Sequence, residues 1–225
     1  MAKMGKKKDS HISNDQEEYI DLDLSDLEKI TSKESTKDTF EIYQNEFYIY
    51  DDITVETMLE LNKFIKSRQK ELVKFSDKYK DIILDINPQP INIYIQSNGG
   101  DLHAVLPVVD LISSLKNVIP IHTYVEGIAA SAASLLSSVG HKRFITKNSF
   151  LLIHELRTQV QGTFSNFRDE SHNCNLIMEK IKEIYLHNSK DQKLKKDELE
   201  KILTHDYLLS SEQAFEMGLI DEIIG

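Results

Sequence analysis

Residues 119–140 read IPIHTYVEGIAASAASLLSSVG, and the change of character near the middle of this stretch decides the fold. The first part, IPIHTYVEG, is rich in β-branched and aromatic residues and reads as a strand. From Gly127 on, the chain is small, aliphatic and uncharged, and reads as a short helix running to Gly140. That helix holds four serines, Ser131, Ser134, Ser137 and Ser138. Serine is a poor core residue unless its hydroxyl has a partner or a task. Either this is a buried helix that tolerates serine, or one of the hydroxyls does chemistry.

The same strand-then-helix grammar continues on both sides. INIYIQ (91–96) is a strand that ends in SNGGD, and LHAVLPVVDLISSL (102–115) is a helix with Pro107 in its first half. KRFITKNSFLLIHEL (142–156) holds paired strands. Residues 164–190 form a long helix whose apolar stripe is Cys174, Ile177, Met178, Ile181, Ile184 and Tyr185. The segment YLLSSEQAFEMGLIDEII starts a short helix at a capping Ser210 or Ser211, stops it at Gly218 and closes with a strand. Upstream, residues 39–53 read as a strand or hairpin, and residues 54–75 as a helix. Strands alternating with helices define an α/β layered fold.

The 225-residue chain has an ordinary globular composition and a net charge of −10. Such acidity argues against nucleic acid or an anionic membrane as the main partner. The single cysteine, Cys174, allows no intrachain disulfide and fits a reducing compartment, so a cytoplasmic location is expected. The basic start lacks the apolar run of a secretory signal, and no apolar stretch reaches the ~18 residues of a membrane helix. Residues 1–38 are polar and read as a mobile charged arm, with YIDLDLSDLEKI inside it as a short docking element or none. Residues 39–225 form the folded domain.

Two strand-to-helix corners carry the chemistry. At SNGGD, Gly99 and Gly100 permit positive φ and leave backbone N–H groups exposed. At the second corner Ser131 falls in the first turn of a helix, beside unpaired N–H groups. Corners on neighbouring strands can aim those groups at one oxyanion. His154, at the end of the apolar strand LLIHEL, is a candidate base, and Asp206 in HDYLL a candidate to orient it. Asp206 also fits a helix cap, and His205 lies beside it. Ser134, Ser137 and Ser138 fit helix-face hydroxyls bonded back to their own turn. The remaining histidines show no paired ligand spacing, so no metal and no cofactor is expected.

The blocks YIQSNGGD, GIAASAAS, NSFLLIHEL, VQGTFSNF and DYLLSSEQAFEMGLIDEII resemble, in order and spacing, the proteolytic subunit of the Clp protease. The resemblance covers residues 91–225. It implies a ClpP/crotonase-type β-β-α superhelix with a projecting handle helix. Carried over by position, Ser131 matches the nucleophile, His154 the base and Asp206 the orienting acid. Gly100 and Ala132 match the N–H donors of the oxyanion hole. The implied function is a serine endopeptidase that cuts unfolded polypeptides inside a homo-oligomeric chamber of two stacked heptameric rings, fed by an ATP-driven AAA+ unfoldase.

The sequence departs from that pattern in several places. Asn98 stands for proline, Ala132-Ala133 for Met-Gly, and Glu155-Leu156 for Gln-Pro. The stretch KSRQKELVKFSDKYKD, near 66–81, reads as an insertion between the first helix and the next strand. Two other readings stand beside the chamber. One is a stand-alone processing peptidase on this fold, for which signal-peptide peptidase A relatives are a lysine-based variant. The other is a crotonase-type acyl-CoA enzyme. A subunit without catalysis is a further rival that the intact Ser-His-Asp set argues against.

Overall fold

In the computed structural model the described residues are 35–37, 40–79 and 88–225. The sheet among them has nine strands. A hairpin, β2 (Phe40–Tyr43) and β3 (Glu46–Ile49), starts it, with β1 (Ser35–Lys37) antiparallel on its outer edge. Then follow α1 (Val55–Tyr79), β4 (Ile91–Ser97), α2 (Leu102–Ser114), β5 (Ile121–Ala130), α3 (Ala132–Ser138), β6 (Lys142–Thr146) and β7 (Phe150–Leu152). The handle α4 (Phe164–Asn188), α5 (Lys196–Leu203), β8 (Leu208–Ser210), α6 (Ser211–Glu216) and β9 (Glu222–Ile224) complete the chain. Strands run β1-β2-β3-β4-β5-β6-β9, with β7 attached to β5 and β8 to β7. From β3 to β9 the neighbours along that row are parallel, as helical crossovers require.

Alternation places the core. On β4, Ile91, Ile93 and Ile95 are fully buried, and on β5 so are Ile121 and Val125. They meet Met58, Leu61 and Ile65 of α1, Val105 and Ile112 of α2, and Leu135 and Leu136 of α3 in one cluster. The opposite face carries a ladder of stacked rings across four strands, Tyr48, Tyr94, Tyr124 and Phe144, at centroid spacings of 4.6, 4.7 and 4.5 Å. Cross-strand aromatic pairs of this kind fix register.

Several expectations change. The helix read from Gly127 begins at Ala132, and residues 127–130 are strand. Ile128, Ala129 and Ala130 each have a parallel partner on β7, and that ladder overrides alanine's helical preference. Within 142–156, β6 and β7 do not pair with each other. Both flank β5, β6 along His122–Val125 and β7 along Ile128–Ala130. Gly127, at φ 82, marks the change of neighbour. Residues 35–37, read as part of the arm, form a strand through their pairing with β2. The stretch read as an insertion continues α1 to Tyr79 without a break. Arg68 anchors it: the side chain is buried and donates to the Gln44 carbonyl (2.6 Å) and Glu71 (3.0 Å). The rest of that stretch (80–81), the arm from 1 to 34 and the YIDLDLSDLEKI element lie outside the described residues.

Thr163 opens α4 with a reciprocal cap to Asn166. The C-terminal half of α4 packs on the domain through Ile181 and Tyr185. Its first turns stand clear, leaving Phe164 76% and Phe167 59% exposed. At the far end the Arg143 guanidinium on β6 grips Asp221 by two bonds of 2.8 Å and also donates to the Asn188 carbonyl. One buried cation thus ties β6, the end of α4 and the turn before β9 together.

Candidate active site

Ser131 joins β5 to α3 at φ 55, ψ −124, a conformation that costs a non-glycine residue about 1–3 kcal/mol. It sits at the N-cap, one residue before the helix rather than in its first turn. Its surroundings hold it there. The Ser131 N–H donates to the Leu152 carbonyl (2.9 Å), and its own carbonyl accepts from Ser134 N (3.0 Å), Leu135 N (3.2 Å) and Ser134 Oγ (2.7 Å). Ser134 Oγ also lies 2.7 Å from the Tyr185 hydroxyl on α4. Burial pushes that phenol's pKa up, against the opposing pull of the Ser134 bond, and keeps it neutral. Ser137 and Ser138 bond back to Ser134 and Leu135, as read from sequence.

The second corner packs directly against the first. A Cβ on Gly99, at φ 103, would stand 2.7 Å from Ser131 Cβ and 3.3 Å from Ala132 N. Gly100, at φ 145, forms a parallel bridge with Ile53. The bonds of that bridge are Ile53 N to Gly99 O (2.7 Å) and Asp101 N to Ile53 O (2.8 Å). In a parallel bridge the flanking residues make the bonds, so the Gly100 N–H points to the other side. Asp101 then caps α2 through His103 N and Ala104 N.

His154 follows β7 by two residues, its side chain 11% exposed. Its Nδ1 is buried without a hydrogen-bond partner among the described residues. The Glu155 N–H donates to the Leu203 carbonyl (3.0 Å), which ties the histidine loop to the end of α5 and brings Asp206 near. Asp206 Oδ1 stops 3.9 Å from Nδ1, beyond hydrogen-bond range. Asp206 Oδ2 instead takes the Arg157 guanidinium at 2.5 Å. His205 stacks on Tyr207.

Ser131, His154, Gly100 and Ala132 line one cavity of about 270 Å³, together with Asn98, Glu155, Arg157 and an apolar wall of Leu102, Leu135, Leu156, Ile181 and Tyr185. A larger crevice, about 780 Å³, surrounds Arg143 and Asp221. Its central charges are already paired with one another, so the smaller cavity is the candidate site. Among the described residues no three His, Cys, Asp or Glu side chains are placed to hold a metal, and no helix is long and apolar enough to cross a membrane. Sequence reasoning missed Arg157, Ile53 and Tyr185. Arg157 left a signal, a cation three residues beyond the histidine, and Tyr185 stood in the apolar stripe of the handle.

A parallel α/β sheet, a serine held at a strained corner and a handle helix define the ClpP-type fold. Comparison with protein-family models matches residues 47–225 to Clp protease. The chain belongs to the Clp protease family, whose activity is that of a peptidase.

Proposed function

We propose that the chain is a serine endopeptidase in which His154 takes the Ser131 proton as Oγ attacks a peptide carbonyl. The tetrahedral oxyanion lies between the N–H groups of Gly100 and Ala132, each such donor worth about 3 kcal/mol in a transition state. The imidazolium gives its proton to the leaving amine, and water, activated by the same ring, frees Ser131 from the acyl-enzyme. Asp206 holds the imidazole tautomer when it reaches Nδ1. The observation that carries this reading is Ser131 at positive φ, in contact with the Gly99-Gly100 corner and in one cavity with His154.

The proposed setting is a closed homo-oligomer of two stacked heptameric rings, taking unfolded polypeptide from an ATP-driven unfoldase in a reducing compartment such as the cytoplasm. Phe164 and Phe167 on the free end of α4 support assembly, since apolar surface presented on a projecting helix calls for a partner.

Fluorophosphonate labelling with sedimentation at two salt concentrations tests both parts. Ser131→Ala should abolish labelling and lower turnover by a factor on the order of 10⁶, while Ser134→Ala still labels. Labelling that follows Ser134 would refute the assignment. A stable active monomer would favour the stand-alone peptidase. Absence of labelling together with acyl-CoA turnover would favour the crotonase-type enzyme.

A further inference from the structure

The site contains two complementary defects. A buried imidazole nitrogen has no hydrogen-bond partner among the described residues. The carboxylate nearest to it faces that nitrogen with one oxygen at 3.9 Å, while its other oxygen is held at 2.5 Å by a guanidinium. We infer that Arg157 is a positioning residue that competes with His154 for Asp206 and holds the reaction rate below what the site can deliver. The inference rests on the peptidase reading above.

The geometry makes the competition direct. His154 and Arg157 lie three residues apart on one irregular loop, and both face Asp206. Closing the His154–Asp206 distance to hydrogen-bond length needs a shift of about 1 Å. Arg157 holds the other oxygen, Oδ2, and that hold fixes the carboxylate where Oδ1 stops short of Nδ1, so the shift has to strain or lengthen the ion pair. While the ion pair stands, Nδ1 has no hydrogen-bond partner among the described residues, and Asp206 shares its charge with Arg157. The pair is solvent-exposed, with Arg157 71% and Asp206 58% accessible. Water and salt weaken such a pair, so the restraint is partial and the closed arrangement stays populated.

The test measures kcat and KM on a fluorogenic peptide, and the rate of fluorophosphonate labelling, for wild type, Arg157→Ala, Arg157→Lys, Asp206→Asn and Arg157→Ala/Asp206→Asn. Sedimentation confirms equal assembly. Arg157→Ala should raise kcat and labelling rate about 2- to 5-fold with KM unchanged, the worth of one exposed ion pair. Arg157→Lys, which keeps a cation, should show less than half that gain. The double variant should show none over Asp206→Asn alone, because the arginine acts only through the aspartate. Wild type that labels, with Arg157→Ala no faster or slower, overturns the competition and leaves the peptidase reading intact. A gain that persists in the Asp206→Asn background also overturns it. If neither wild type nor Arg157→Ala labels, both readings fall.

Discussion

A Cβ added to Gly100 would lie 2.2 Å from the carbonyl oxygen of Ile53, closer than any side chain tolerates. Ile53 acts as a clamp, bonding the residues on either side of Gly100 and leaving that glycine's own N–H directed away. Gly100→Ala must push the corner off Ile53 and misaim the N–H. Turnover should fall about 10²- to 10³-fold, the usual loss of one oxyanion donor. Gly127→Ala is the control: its Cβ meets only the tip of Gln96 at 3.4 Å, so positive φ is its one penalty. It should lower stability by about 1 kcal/mol and spare the labelling rate. Equal labelling rates in the two variants would refute the clamp.

Ser134 and Tyr185 should differ in how much their loss costs. Removing the Ser134 hydroxyl strands the buried Tyr185 phenol. Tyr185→Phe leaves Ser134 bonded to the Ser131 carbonyl. Ser134→Ala should therefore cost about 1–3 kcal/mol, and Tyr185→Phe less. Denaturant unfolding of both variants and the double variant checks the order.

Arg143→Ala should be among the most destabilising single changes outside the core. It leaves Asp221, 14% exposed, with only the backbone N–H of residue 143 and Lys190 at 3.8 Å, and frees the Asn188 carbonyl. Burial favours a protonated Asp221, yet the Arg143 contacts win and hold its carboxyl below the usual range. Breaking such a pair costs about 3–5 kcal/mol when fully buried, so a loss of about 3 kcal/mol is expected here. Thermal unfolding of Arg143→Ala beside Arg143→Lys measures it.

Acid should weaken the fold through two histidines. Burial pushes His141 below its ordinary 6.5, helped by Lys116 and resisted by the bond to the Ile112 carbonyl. Burial and the neighbouring Lys142 and His141 do the same to His122. A group whose folded pKa is depressed binds protons first in the unfolded chain. Stability should therefore hold above pH 6.5 and fall as pH drops from 6.5 towards the lowered folded values. His141 Nδ1 accepts from Ile121 N (3.0 Å), a bond that protonation removes. Melting temperatures from pH 8 to 5 should slope less in His141→Gln; an unchanged slope would exclude this origin.

The layered fold was legible because its signals are local: isoleucine alternation on β4, the stripe on α4 and the cap at Ser210 are each written within a few residues. The strand at Ile128–Ala130 was not, because its reason is a partner on β7, some twenty residues further along the chain. Ser131 and His154 could be picked out by motif, but the contact of Gly99 with Ser131 depends on how β4 and β5 lie side by side. Arg157 was not read either, although a cation near the histidine was visible. Its role depends on Asp206, brought in by α5, a helix for which the sequence reading assigned nothing.

The change of neighbour at Gly127 turns β5 into a fork. One prong leads through β6 to β9 at the end of the chain, the other through β7 to β8. Among the strands the two prongs share only β5, and off the sheet they are linked by the bonds of Ser211 Oγ to the Lys147 carbonyl and of Thr146 to Ser149. Tension on the C-terminal residues would load the β6 prong first. The prong that carries the serine and histidine would receive that load second-hand, through β5 and the Ser211 and Ser149 bonds.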